Sequence, residues 1–305
     1  MTGRVRVRVP ASTANLGPGF DALGLALALY DEVEVTLAAS GLRVEVHGEG
    51  AGQVPTDEEH LVVRALRAAC ARLDYRPDGL VLHCHNSIPH ARGLGSSAAA
   101  AVAGVLAGYA LAGREPDAAA LDLAARFDGH ADNAGASLLG GLVISWRDGS
   151  LGDGSLGDGG LRDGGAFRAI RLEPHPDLAP VLFVPRQRCA TEVTRGLLPA
   201  AVPHADAAFT AGRAALLVHA LTAAPALLLA ATEDRLHQPH RRSAYPATGR
   251  LVDALRAAGV PAAVSGAGPA VLALPASGGV PTVVDTAGFT RHHLDIARDG
   301  AAVTG

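Results

Sequence analysis

Arginine and valine alternate over residues 4–9, the period of a strand with one face buried. A polar stretch rich in Gly, Pro and Asn follows over residues 10–21 and reads as a loop, after which residues 22–29 lead back into a sheet. Alternation over residues 32–37 and 42–47 predicts an antiparallel pair. Leu61, Ala65, Leu66, Ala69 and Leu73 recur at helical spacing within residues 58–73, so one face of a helix meets the core there. Residues 80–85 read as a strand, 98–112 as a long alanine-rich helix, 117–127 as a second helix and 142–146 as a returning strand. Further on come strands at 166–172 and 179–184, helices at 203–221 and 247–258, and a hairpin-like segment, 262–274, turning through residues 265–269. Strands and helices mix without a strict strand-helix repeat, which predicts an α+β fold.

Between these halves, residues 148–165 form a low-complexity tract in which Asp-Gly-Ser-Leu-Gly recurs at Asp148 and Asp153 and then decays. Neither the period nor the glycine pattern is that of a calcium-binding nonapeptide repeat. The tract reads as a flexible insertion that separates an N-terminal domain, 1–147, from a C-terminal domain, 166–305.

Composition narrows the chemistry. With 49% hydrophobic and 18% charged residues and a formal net charge of −4, the chain can bury a substantial core and offers nucleic acid no basic surface. No apolar run reaches the roughly 20 residues of a membrane span, and residues 1–10 alternate instead of forming an export signal. The expectation is a cytoplasmic protein. Cys70, Cys84 and Cys189, an odd number at unrelated spacings, fit a reducing compartment. His83-Cys84-His85 suggests metal ligands, but on a strand the histidines face away from the cysteine and no second ligand pair stands at a zinc spacing. All 26 basic residues are arginine. A Walker A loop, a protein-kinase site and Schiff-base catalysis each need a lysine, so none of them operates here. Nucleotide phosphates would have to be met by backbone N–H groups, a helix N-terminus, a metal ion and arginine.

Residues 90–97, His-Ala-Arg-Gly-Leu-Gly-Ser-Ser, are placed for that task. Gly93 and Gly95 let backbone approach a ligand, and Ser96 and Ser97 stand where the N-cap and first turn of the alanine-rich helix belong. The first-turn N–H groups and the helix dipole then converge on one anion.

Residues 89–99 resemble the phosphate-binding motif of the GHMP kinases, and two further segments match in order: residues 10–21 and the glycine turn 265–269. Residues 10–24, 129–133 and 234–241 resemble the homoserine kinases within that superfamily. The resemblance implies a two-domain GHMP kinase fold, with an N-terminal mixed sheet and helices and a C-terminal ferredoxin-like α/β sandwich. It also implies phosphorylation of homoserine by ATP with Mg2+ in threonine biosynthesis, and a homodimer. Binding of ATP would fall to Pro89, Arg92, Gly93, Leu94, Gly95, Ser96, Ser97, Ala98, Gly266 and Gly268. Asn15, Asp21, His130, Asn133, Arg195 and Arg241 would line the amino-acid pocket, with Asn133, Thr191 and Arg195 taking part in catalysis. Ser97 and either Asp128 or Asp122 would hold the metal. An ammonium wants a carboxylate such as Asp21, and a carboxylate wants arginine forks, so this set suits homoserine on chemical grounds as well.

The motif also departs from the family. His60 stands where asparagine near the nucleotide is common, Ala190 where serine is usual, and Ala270 where serine or threonine is usual. Asparagine at 133 replaces the aspartate base of several superfamily members, which implies catalysis by positioning and electrostatics without a strong protein base. The alternatives are a GHMP kinase for another small amino alcohol and a catalytically silent relative that binds nucleotide or amino acid.

Overall fold

The computed structural model describes residues 3–148, 165–275 and 279–305. Its first strands, β1 (Arg4–Asn15) and β2 (Gly19–Ala38), form a long antiparallel hairpin. Val5, Val7 and Val9 point into the core, while Arg4 and Arg6 stay outside and both meet Glu34 across the strands. The segment 10–21 is thus only briefly a loop. Ladder pairing with residues of β2 carries β1 through a register shift at Pro10/Ala11 as far as Asn15, so Ala11 to Asn15 are buried strand residues. Gly17 and Pro18 mark the turn past the end of β1, whereas Pro10 lies within the strand.

The hairpin belongs to a seven-stranded mixed sheet. Its path runs β11 (Ala302–Thr304), β1, β2, β4 (Gly79–Asn86), β3 (Gly41–Gly48), while β5 (Leu142–Arg147) pairs with β2 and β6 (Phe167–Leu172) with β5. The expected pairing of 32–37 with 42–47 does not form. β4 inserts between them, antiparallel to β2 and parallel to β3. Alternation marks a strand's two faces but carries no information on its neighbour. Strands β6 and β11 lie beyond the 148–165 tract yet complete this first sheet, so sheet membership does not follow chain order. Of the tract itself, residues 149–164 lie outside the described residues; its ends meet where Asp148 N donates to Ala166 O at 2.9 Å.

Helices cover the sheet: α1 (Leu61–Arg72), α2 (Ser96–Leu111), α3 (Ala118–Asp128) and α4 (Ala131–Leu139). Small side chains let α2 be buried on nearly every side, between β1, α1 and α3. Asp117 caps α3 by accepting from Ala119 N at 2.9 Å, and Gly129, left-handed at φ 77°, ends it. His130 is extended and starts α4 at once, which aims the N-terminus of α4 toward the N-terminus of α2.

The second sheet has four antiparallel strands in the order β10 (Phe289–His293), β7 (Val181–Pro185), β9 (Val271–Ala273), β8 (Ala262–Val264). In chain order this is 4-1-3-2, the ferredoxin-like arrangement. Helices α5 (Thr191–Arg195), α6 (His204–Thr222), α7 (Leu228–Ala231), α8 (Gln238–Arg241) and α9 (Pro246–Ala257) lie between β7 and β8. Among the described residues no helix connects β9 to β10. No described helix is long and apolar enough to cross a membrane.

Candidate active site

Three distant segments meet where the β1–β2 turn, the start of α2 and the β8–β9 turn pack together. Ser265 donates from its hydroxyl to Gly93 O at 2.7 Å, Gly266 N to Ala14 O at 3.1 Å, Ala270 N to Arg92 O at 3.2 Å and Ser12 N to Leu94 O at 3.1 Å. Glycine is required at two points. A Cβ on Gly93 would lie 2.1 Å from Ser265 O and one on Gly95 2.0 Å from Ser12 Oγ, and both residues have positive φ.

Gly95, left-handed at φ 68°, is itself the N-cap of α2, with Ser96 and Ser97 in the first turn. Since Gly95 has no capping side chain, the first N–H groups of a sixteen-residue helix are left to a ligand. They open onto a cavity of about 230 Å³. Its walls include Asn15, Asp21, Pro89, Gly93, Leu94, Gly95, Ser96, Ser97, Asp128, His130, Asn133, Thr191, Arg195, Arg241 and Gly266. The structure therefore brings the sequence-read residues together, with four exceptions. Arg92 turns away to donate to Pro185 O at 2.9 Å, Ala98 is buried in α2, and Gly268 lies behind Gly93. Asp122 is occupied elsewhere, accepting from Phe167 N at 2.9 Å and pairing with Arg126, so of the two carboxylates considered for a metal only Asp128 reaches the cavity beside Ser97.

The cavity wall also carries a charge pair and a buried arginine. Arg195 donates to Asp21 Oδ1 at 2.8 Å and also contacts His130 Nε2. Asp21 is held at φ 55° and its N–H donates to Asn15 Oδ1 at 2.9 Å, while Asn15 Nδ2 donates to Gly266 O at 2.8 Å. Arg241 is 1% exposed, yet no described carboxylate lies within 4 Å of it. Its guanidinium has only long contacts, to His237 Nδ1 at 3.4 Å and Gly266 O at 3.5 Å, and its Nε has no partner. Burial lowers its pKa. An unpaired buried cation is costly unless an anion completes it.

Sequence reasoning missed several residues here. Phe20 lies 5.5 Å from Arg195 and 5.4 Å from Arg241, measured to the ring centre, and stacks on His237 at 5.0 Å. His237 is fully buried, with Nε2 2.7 Å from Gly17 O; donation from Nε2–H there leaves Nδ1 to accept from Arg241. Asp132, 1% exposed, lines the cavity next to Asn133, and burial raises its pKa to about 7. The only signal for these was their place inside the quoted motifs.

Around the first turn of α2 a second cavity, of about 280 Å³, shares Ala91, Ser96 and Ser97 with the first. Val33, Val54, Leu61, Val62 and Ala103 give it apolar walls, and His60 lines it with a buried Nδ1 that has no partner. Apolar walls with a few polar groups suit a flat heterocycle.

Models of the GHMP kinases N terminal domain and the GHMP kinases C terminal match residues 60–141 and 212–281. A homoserine kinase of Streptomyces avermitilis is 51% identical over 98% of this chain and 95% of its own length. One from Rhodococcus erythropolis is 52% identical over 88% of this chain and 85% of its own length. In three dimensions the chain is similar to a crystal structure of homoserine kinase from Cytophaga hutchinsonii, with a TM-score of 0.83 and 25% identity over 100% of this chain and 98% of that one.

Proposed function

The chain belongs to the homoserine kinases of the GHMP family, and from that premise we propose that its cavity transfers the γ-phosphoryl group of ATP to the side-chain hydroxyl of homoserine. The observation that carries this reading is Arg241, a buried cation with no carboxylate partner among the described residues, on the wall of the same cavity as the uncapped start of α2. One end of the site asks for a carboxylate and the other for phosphate.

The base and ribose of ATP fit the second cavity, which leads past Ala91, Ser96 and Ser97 to the N-terminus of α2. There the first-turn N–H groups take the phosphates. Ser97 and Asp128 offer a hydroxyl and a carboxylate oxygen on the same cavity wall, a donor set suited to Mg2+, which takes one or two protein ligands and completes its shell with phosphate and water. Bound there, the ion would neutralise charge on the transferring group. Arg241 and Arg195 receive the substrate carboxylate, and Asp21, released from Arg195, receives the ammonium. The Thr191 hydroxyl stands on the same wall. Asn133 donates from Nδ2 to the acceptor hydroxyl oxygen, and an amide cannot take that proton. Catalysis therefore rests on alignment and on N–H groups aimed at the transferring phosphoryl: the bond from the γ-phosphorus to ADP breaks as the bond to the substrate oxygen forms, and the hydroxyl proton leaves late, to an oxygen of the transferred phosphoryl group.

An ADP-release assay across homoserine, threonine, serine and mevalonate tests the reading. Homoserine should have the highest kcat/KM, and mevalonate, which cannot satisfy Asp21, should be rejected strongly. Equal turnover of mevalonate and homoserine would overturn the substrate assignment. Absence of turnover with any of them would refute the kinase reading.

A further inference from the structure

Ser12 was read as part of a loop, but it is a fully buried residue of β1 whose hydroxyl sits between the phosphate loop and α4. It donates to Asn133 Oδ1 at 3.0 Å. It also accepts from the hydroxyl of Ser137, one turn along α4, at 3.5 Å. On the far side of the amide, Asn133 Nδ2 lies 3.4 Å from Asp132 Oδ1. These bonds run in one direction, Ser137 to Ser12 to Asn133 to Asp132. Turning the Asn133 amide over would set its oxygen against Asp132 Oδ1 and its N–H against the Ser12 hydroxyl, whose proton would lose its present acceptor. Asn133 is thereby held with its N–H side available to the cavity. The backbone N–H of Ser12 meanwhile donates to Leu94 O at 3.1 Å, and its Oγ occupies the space where Gly95 lacks a Cβ. One residue touches both the loop that would hold the phosphates and the amide that would hold the hydroxyl.

We propose that Ser12 is a positioning residue for phosphoryl transfer, fixing the Asn133 amide with its N–H toward the acceptor hydroxyl and holding it in register with the phosphate loop. This rests on the reading that Asn133 contacts that hydroxyl. Ser12 itself touches neither substrate; it acts through Asn133. Losing it costs alignment in the transition state and little of the ground-state binding, which belongs to Arg241, Arg195, Asp21 and the start of α2.

The test is a double-mutant cycle on purified protein, with melting curves as the control for folding. Ser12→Ala should lower kcat by about ten- to a hundredfold while KM for ATP and for homoserine each stays within about twofold. In an Asn133→Ala background, where the amide is already gone, the same change should cost less than about twofold. Equal losses in the two backgrounds, or a Ser12→Ala enzyme with parental kcat, would overturn the proposal. Should Ser12→Ala melt early, Ser12→Cys leaves no void, at the expense of a larger sulfur, and weakens the hydrogen bond, and the same cycle is run with it. Parental activity of Asn133→Ala alone would instead refute the role given to Asn133, a result distinct from additivity.

Discussion

Replacing Arg241 by methionine should make the protein harder to melt and much worse at its reaction. Arg241 is 1% exposed and, among the described residues, has no carboxylate within 4 Å and no partner for Nε. In the unliganded protein it bears a desolvation cost that the more distant charges of Asp21 and Asp234 offset only in part, since its pKa is lowered on balance. Exchanging buried charged groups for hydrophobes of similar volume is often neutral or stabilising by about 1 to 4 kcal/mol, and methionine fills irregular space without leaving a void. The melting temperature should rise by roughly a few degrees. Binding changes in the other direction. Removing one partner of a desolvated charge pair costs about 2 to 5 kcal/mol, which at about 1.36 kcal/mol per decade is roughly a 30- to 5,000-fold loss in kcat/KM for homoserine. KM for ATP should stay within about twofold. 3-Aminopropan-1-ol, which lacks the carboxylate, should be a poor substrate of the parent and lose little more in the variant. Calorimetric melts and ADP release with both amino alcohols measure all of this. Equal losses for the two substrates, or unchanged homoserine kinetics, would refute the assignment of Arg241 to the carboxylate.

Further outcomes follow from the same geometry. Ser97→Ala should lower kcat by at least about tenfold without changing the melt, and excess chelator should abolish parental turnover; parental rates in chelator would refute a metal held by Ser97 and Asp128. Asp132 has a folded pKa raised by burial to about 7 from 3.8, so stability from its protonated form is complete below pH 4, is lost as pH rises from about 4 to 7, and is level above that. Asp132→Asn should lack this component, so the melting temperature of the variant relative to the parent should climb over that window; a constant difference from pH 4 to 8 would count against a buried, titrating carboxyl. Joining Asp148 to Gly165 by deleting residues 149–164 should leave kcat/KM within about twofold, because Asp148 and Ala166 already meet at the end of the β5–β6 ladder; loss of turnover in a deletion that melts normally would give the tract a part in the reaction.

Where a residue's role is local, the sequence announced it. The glycines at 93 and 95 signalled a close backbone approach, and the start of α2 follows them directly. The start of α3 was read to within a residue: the expected helix begins at Asp117, which is the N-cap of α3 and accepts from Ala119 N. What depends on distant partners was not legible. The pairing of β3 with β4 instead of β2 is a choice among neighbours that alternation leaves open. Helix α4 was missed because it is nine residues long, interrupted by Gly135, and follows Gly129 without a loop to separate it from α3. Asp132 and His237 look like ordinary polar residues in sequence, and only their burial distinguishes them. The Asp122 alternative is kept from the cavity for a related reason: β6, brought alongside from beyond the tract, takes one of its oxygens.

The hydrogen bond from Ser265 to Gly93 joins residues 172 positions apart, and that from Asn15 to Gly266 spans 251. A ribosome adding about 5 to 20 residues per second needs roughly 10 to 35 seconds to cover the first of these intervals. For that time the emerging chain carries residues 89–99 without the turn that backs them, and its strand β1 without the glycine turn that Asn15 grips. Nucleotide affinity should therefore arrive late in synthesis and abruptly, once residue 266 clears the exit tunnel. A stalled chain ending near residue 200 would present the whole phosphate-binding motif and still fail to retain ATP.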